Sequence, residues 1–458
     1  MNPSLANSLV YPLVFWLRRE PVFSLAKRLQ DSQWRSAIAV RHEQFRRVSS
    51  LVEYFRATHS GYRSLLEDLG VEKTTELAPE DLERLPILEK DHLRKFYDNK
   101  DIGTGWSGTG QIRLSGGSTG KPVVVVADVR ASAMSQAARV VCQGWYDIKM
   151  GDRQIRLWGR PLAGNQTRER WKDRILNRIR LDSLSLEAGS IGKTVAVIRK
   201  FGAEYIYGYA SLIRLLADRL DDKDISELFL NLKAVITTSE TLPDYQQRLL
   251  ERRFSCPVVD EYGCSEVDII SFQCPQGQHH IVADNALVEI KRFGEEPPGY
   301  GQVLVTDLNN QATPVIRYRL GDLAPLDKPQ CPCGRGWPCM GKTLGRAQGQ
   351  YVRIPEKGLV HSQFIVYIIE KLVAAGTPIE SFRVIQDANF TLRLLLVPRQ
   401  NSQLDLFLIQ KRLEAEGRPI LGSAMKWSIE EKTASELTSG QVNKFLHFES
   451  RVSSTECS

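Results

Sequence analysis

No apolar stretch in this sequence is long enough to cross a bilayer. Its one apolar run near the start, Leu9 to Leu17, is broken by Pro12 and falls well short of the ~20 residues a spanning helix needs. A basic beginning and a small-residue cleavage site are both missing, which argues against a secretory leader. Cysteine is scarce, with 8 in 458 residues, so a disulfide scaffold is excluded. Neither sign of charge dominates: 61 basic residues stand against 54 acidic ones, a net charge of +7. That mild excess suits anionic ligands such as nucleotides and is too diffuse to argue for nucleic acid. Repeats and low-complexity tracts are absent too. What remains is 42% hydrophobic and 25% charged, the balance of a soluble globular protein with one large core and a smaller accessory domain.

Residues from about 20 to 95 read as helical, with a clear three-and-four spacing of apolar positions over Ala37 to Ala57. The run Leu9 to Leu17 is expected as a buried helix; with Arg18 and Arg19 behind it, peripheral membrane contact is the second reading. Further on, Ser115, Gly116, Gly117, Ser118, Thr119, Gly120 and Lys121 form a loop of small, hydroxyl and basic residues. Glycines let backbone N–H groups approach a ligand, and hydroxyls with a lysine add donors and charge, as a polyphosphate requires. The Ser and Thr precede Gly-Lys and Pro122 follows, so this is no helix-opening P-loop. Val123 to Val126 reads as a strand, which makes the loop a connection between strands. A plain Ser/Gly hairpin turn is the other reading.

Strands and helices then alternate: a helix over Ala131 to Tyr146, strands at Ile155 to Trp158, Tyr205 to Tyr207, Lys233 to Ser239 and Val258 to Val259, and helices between them. The basic segment Arg168 to Arg180 reads as a solvated helix face. This alternation predicts an α/β fold with a parallel or mixed sheet, whose ligands gather at the carboxyl ends of strands. Those ends carry Tyr207, Gly208 and Tyr209, then Ser239 and Glu240, then Asp260 to Glu266.

Four segments taken together resemble the adenylate-forming superfamily: Arg113 to Pro122, Tyr262 to Glu266, Ile316 to Asp322, and Gly345-Arg346, in that order. The chain is most similar to the phenylacetate–CoA ligase-like branch, capsule-biosynthesis members included. The resemblance implies attack of a carboxylate on the α-phosphate of ATP, then transfer of the acyl group to an acceptor, CoA being the expected one. It places the β- and γ-phosphates on the Ser115–Lys121 loop and Mg²⁺ on Glu266, with Lys121 and Glu266 in catalytic roles. Asp322 would bind the ribose. Ser239, Glu240, Glu261 and Tyr262, with Gly263 and Ser265 beside them, would surround the adenine. Arg346 would reach the nucleotide, and Tyr207, Gly208 and Tyr209 would line the acyl pocket. A large mixed-sheet domain with a helical N-terminus, residues 1–344, is expected before a small mobile α+β domain, residues 345–458. Partners are a small-molecule acid and its acceptor, in the cytoplasm.

The cysteines cluster. Cys274, His280, Cys331 and Cys333 form a donor set suited to a structural Zn²⁺, with His279 and Cys339 as substitutes. Free thiols in a turn are the alternative. Two departures from the superfamily pattern stand out: Gln348 lies near the expected hinge carboxylate, and Gln441 occupies the place of the catalytic lysine. An amide does not compensate charge growing on a phosphate. Lys444 is the nearest cation able to stand in, and binding without efficient activation is the alternative function.

Overall fold

The computed structural model describes residues 2–72, 77–101, 103, 110–114, 123–158, 166–182, 184–186, 189–294, 296, 298–327, 329–346, 351–354, 358–361, 365, 368–369, 372, 376–399, 401–421, 425–433, 436–437 and 448–452. They form two compact units. One comprises Met1–Lys291, Gly301–Leu320 and Ala324–Thr343; the other comprises Arg292–Tyr300, Gly321–Leu323 and Leu344–Ser458.

In the first unit the expected long helix spans Ala37–Thr58, its start fixed by Ser36, whose Oγ accepts from the Ala39 N–H at 3.3 Å. It buries Phe45, Val48, Val52 and Phe55 against Tyr62, Leu66, Leu93 and Phe96. Strands β1 (Gly110–Leu114) and β2 (Val124–Asp128) pair antiparallel with Leu114 opposite Val124. The glycine-rich stretch therefore does connect two strands; residues 115–122 themselves lie outside the described residues.

The centre of this unit is a sheet of eight strands. They are β3 (Gln154–Leu157), β4 (Arg178–Leu181), β5 (Tyr205–Tyr209), β6 (Ala234–Thr238), β7 (Val258–Cys264), β8 (Asp268–Gln273), β9 (His279–Ile281) and a short strand at Cys339–Met340. Strands β4-β3-β5-β6-β7 run parallel, and β8 turns the sheet antiparallel. Alternate residues divide between its faces. Tyr205, Tyr207, Ala234 and Ile236 meet the helix Val129–Gly144 through Ala133, Met134 and Ala137. Ile206, Val235 and Val258 meet Ile198, Ile213 and Leu250 of three other helices. β6 is buried along its whole length, as a strand covered on both faces must be. Strands β10 (Ala286–Lys291) and β11 (Tyr300–Asp307) pair antiparallel, from Ala286 opposite Asp307 to Lys291 opposite Gln302.

Two expectations change. The basic segment is not one helix: the helix ends at Ile175 and β4 begins at Arg178. Between them Asn177 adopts φ +51°, a left-handed conformation that ends helices. The run Leu9 to Leu17 is helical but not buried as a whole. Phe15 is 5% exposed, whereas Leu9, Leu13 and Trp16 are 62%, 56% and 74% exposed.

In the second unit, β12 (Tyr318–Pro325) contributes Asp322 and Leu323, which pair with Arg346 and Gly345 of β14 (Gly345–Arg346), the short strand Cys339–Met340 being β13. β15 (Tyr351–Ile354) and β16 (Gly358–His361) form a hairpin. β17 (Ile379–Gln386) and β18 (Leu392–Pro398) pair antiparallel, flanked in parallel by β20 (Phe448–Ser450) and β19 (Trp427–Glu431). Val384, Leu394, Leu396 and Trp427 pack with Ile409 and Leu413 of the helix Leu406–Leu421 into a core of this unit's own.

Candidate active site and metal centre

Several of the expected site residues come together on the parallel strands β5, β6 and β7. Tyr207 stands midway along β5, and its hydroxyl donates to Glu261 Oε1 of β7 at 2.7 Å. Thr238 of β6 donates to the same oxygen at 3.4 Å, as does Arg139 Nη2. Glu261 Oε2 is buried without a hydrogen-bond partner among the described residues, and such an atom is costly unless a ligand or water donates to it.

Arg139 also bonds Asp268 at the start of β8, through both terminal nitrogens. Burial alone would raise the Asp268 carboxyl, yet Arg139 and Arg113 bring it down to about 2. Burial likewise pushes the Tyr207 hydroxyl well above the ordinary phenol range, helped by the Glu261 charge. Tyr207 therefore remains a neutral donor at every working pH. At the next position a Cβ on Gly208 would stand 2.2 Å from the Leu157 carbonyl oxygen, so β5 and β3 approach closely only with glycine there.

Trp158, just past the end of β3, completes an aromatic wall. Its ring stacks on Tyr207 with centroids 6.2 Å apart and meets Tyr209 at 4.6 Å. The Arg156 guanidinium lies 4.5 Å over Trp158 and 5.7 Å from Tyr207, a cation–π arrangement.

Other expected residues fall nearby. Ser239 takes φ +66°, an uncommon conformation for a residue with a Cβ. Glu240 accepts from Ser211 N at 2.8 Å and Ser211 Oγ at 3.0 Å, fixing the start of the helix Ala210–Arg219. Glu266 is buried, and the Tyr318 hydroxyl donates to its Oε1 at 3.1 Å. Tyr262 and Gly263 lie on β7, and Ser265 is exposed beyond it. Asp322 and Arg346 belong to the second unit as backbone partners. Lys121 and the rest of its loop, Gln348, Gln441 and Lys444 lie outside the described residues. Arg139, Asp268, Arg156 and Trp158 are additions. Only Trp158 carried a usable signal, at the carboxyl end of an expected strand.

Cys274, His280, Cys331 and Cys333 converge, their ligand atoms all within 4.8 Å of one another. Cys274 Sγ is 3.5 Å from Cys331 Sγ, and Cys333 Sγ is 3.2 Å from His280 Nε2. Two thiolates on one tetrahedral zinc stand about 3.8 Å apart, since each Zn–S bond is about 2.3 Å. His280 Nδ1 lies 2.9 Å from the Trp337 carbonyl oxygen, an arrangement in which Nδ1–H donates and Nε2 is left as the ligand. Donor set and spacing both fit a four-coordinate metal. Cys339 Sγ is 3.6 Å from His280 Nδ1, the nitrogen turned to Trp337, and 3.8 Å from Nε2; it stands outside the four. Asp260 of β7 and His279 of β9, on either side of β8, form a buried pair with Oδ2 and Nε2 3.7 Å apart.

No family model matches the chain. Among curated proteins it is similar to a phenylacetate–coenzyme A ligase of Thermus thermophilus, 26% identical over 68% of this chain and 71% of the relative. It is also similar to Protein CapK of Staphylococcus aureus, at 23% over 62% of each, and to a phenylacetate–coenzyme A ligase of Pseudomonas putida, at 25% over 65% of this chain and 69% of the relative. Among solved structures, 2-hydroxyisobutyryl-CoA ligase in its postadenylation state has the same fold, with a TM-score of 0.73 at 17% identity over 92% of this chain and 91% of that one.

Proposed function

We propose, for this member of the phenylacetate–CoA ligase-like branch of the adenylate-forming superfamily, that it activates a small carboxylic acid with ATP and passes the acyl group to CoA. In the first step a carboxylate oxygen bonds to the α-phosphorus of ATP and the bond to the bridging oxygen breaks, releasing pyrophosphate. In the second a thiol sulfur attacks the acyl carbon and AMP leaves.

The supporting observation is the Glu261 carboxylate among the parallel strands β5, β6 and β7. One oxygen is locked by Tyr207, Thr238 and Arg139, and the other has no described partner. An adenine amino group is a donor suited to that oxygen. The Trp158, Tyr207 and Tyr209 wall favours a flat acid, because ring faces stack on ring faces. Ser115, Ser118, Thr119 and Lys121 would hold the phosphates, Asp322 the ribose and Arg346 the nucleotide. Magnesium would supply positive charge against the phosphates, and Glu266, a hard oxygen donor, would hold it.

Zinc bound by Cys274, His280, Cys331 and Cys333 would have a structural role, tying the turn before β9 to the segment before β13. A closed set of four ligands leaves no open position for chemistry. Reduced thiols of this kind suit the cytoplasm. The division into a large domain and a small mobile one, turning near Gly345, belongs to the same reading.

Gln441 favours a second reading, a protein that binds nucleotide or acyl-adenylate but activates acids weakly. ATP–pyrophosphate exchange with a panel of aryl and alkyl acids, run beside Gln441→Lys, separates the two. Exchange by the natural chain supports the ligase. Exchange confined to the lysine variant supports the second reading.

A further inference from the structure

The segment Pro3 to Leu17 is one helical rod. An α-turn, a π-turn at Ala6–Val10 and the helix Tyr11–Leu17 follow one another with right-handed helical backbone at each junction. Its inner side is anchored. Phe15 joins the core beside Val22 and Ala26, and Gly151 approaches so closely that a Cβ there would meet Ala6, Asn7 and Pro3 at 2.9 Å.

Its outer side carries Leu5, Leu9, Leu13, Trp16 and Leu17, all between 49% and 74% exposed. Steps of three to four residues put them on one stripe. Arg18 and Arg19 close the rod, and no acidic residue occurs between Asn2 and Arg19.

A second element adjoins the rod at Tyr11. The Tyr11 hydroxyl donates to the Leu176 carbonyl at 3.1 Å, just past the helix Gln166–Ile175. That helix exposes Trp171 at 59% and Ile175 at 43% and carries Arg174, whose guanidinium lies 5.9 Å from the Trp171 ring. Among the described residues no helix is long and apolar enough to cross a membrane.

We propose that this face is a docking surface for an anionic lipid bilayer. Trp16 and the four leucines enter the headgroup boundary, and Arg18 and Arg19 meet the lipid phosphates. The chemistry selects a bilayer over a polar partner because the stripe has large aliphatic side chains along its length, an indole near its end and arginines just beyond, the composition of an interfacial helix. Charge complementarity selects anionic lipid: Arg18 and Arg19 close the rod with no acidic residue between Asn2 and Arg19, and Arg19 adds to Arg18, whose guanidinium stands 4.0 Å from the buried Glu20.

The test is flotation of the full chain with phosphatidylglycerol–phosphatidylcholine vesicles and with phosphatidylcholine vesicles. The natural chain should float with the former, at low salt above all, with a blue-shifted tryptophan emission. Leu9→Ser/Leu13→Ser/Trp16→Ser should keep the natural melting temperature, since all three side chains are exposed, and bind about a hundredfold more weakly. Arg18→Glu/Arg19→Glu should lose the preference for phosphatidylglycerol. The proposal is overturned if the natural chain does not float, or if the triple variant floats equally well. Sedimentation showing a dimer that the triple variant dissolves, with no vesicle binding by the natural chain, would overturn it in favour of a second copy.

Discussion

Arg139→Met tests whether one guanidinium organises the site. Arg139 is the counter-charge for both Asp268 and Glu261. With it present, Asp268 titrates near 2 against an ordinary 3.8, a depression worth about 2 kcal/mol at neutral pH. Asp268 keeps 28% of its side chain exposed, which limits that value through solvent screening. Glu261 is more deeply buried, and stranding its charge costs further, so the whole loss should be about 3 kcal/mol. For a unit of this size that lowers the melting temperature by about 4 °C. The sign with pH is fixed. Asp268 has a depressed folded value, so its contribution is complete above 3.8 and fades as pH falls through 2. The gap between natural chain and variant should be full at pH 7 and narrow below pH 4, as followed by thermal unfolding in a pH series. ATP affinity should fall as well, because Glu261 Oε1 loses one of three donors. An unchanged melting temperature and unchanged ATP binding would refute the reasoning.

Glu266→Gln should leave the melting temperature nearly intact, since an amide oxygen still accepts from Tyr318. It should also slow pyrophosphate exchange by about a hundredfold or more. Trp158→Ala should raise KM for flat aromatic acids more than for short aliphatic ones, as steady-state kinetics on a panel of acids would show. Cys331→Ser should remove about one equivalent of zinc by elemental analysis and lower the melting temperature, while a chelator should act on the natural chain in the same way. Purified natural chain without bound metal would count against the zinc centre.

Local pattern carried much of this fold. The spacing over Ala37 to Ala57 matched the helix Ala37–Thr58, and the valines after the glycine-rich loop matched β2. Alternation of strands and helices correctly placed Tyr207 and Glu261 on parallel strands, although β5 runs on to Tyr209 and β7 to Cys264, past the expected ends. The convergence of Cys274, His280, Cys331 and Cys333 was legible because cysteine and histidine are rare enough here that their bunching stands out, although 57 residues separate Cys274 from Cys331. Arg139 and Asp268 were not legible. They sit 129 residues apart, and an arginine on an alanine-rich helix looks like any solvated one. The burial expected for Leu9 to Leu17 did not hold for a symmetrical reason: an apolar run shows that a helix has an apolar side, not what that side faces. The break at Asn177 was readable in principle, because asparagine tolerates left-handed backbone better than its neighbours do.

The central claim is that ATP is cleaved at its α-phosphate to activate an acid. The direct measurement is product analysis by chromatography and mass spectrometry after incubating the purified chain with ATP, Mg²⁺, CoA and an aryl acid. The account predicts AMP and pyrophosphate, with acyl-CoA formed in equal amount and dependent on the acid. ADP and phosphate as products, or ATP bound but left intact with every acid tried, would contradict it.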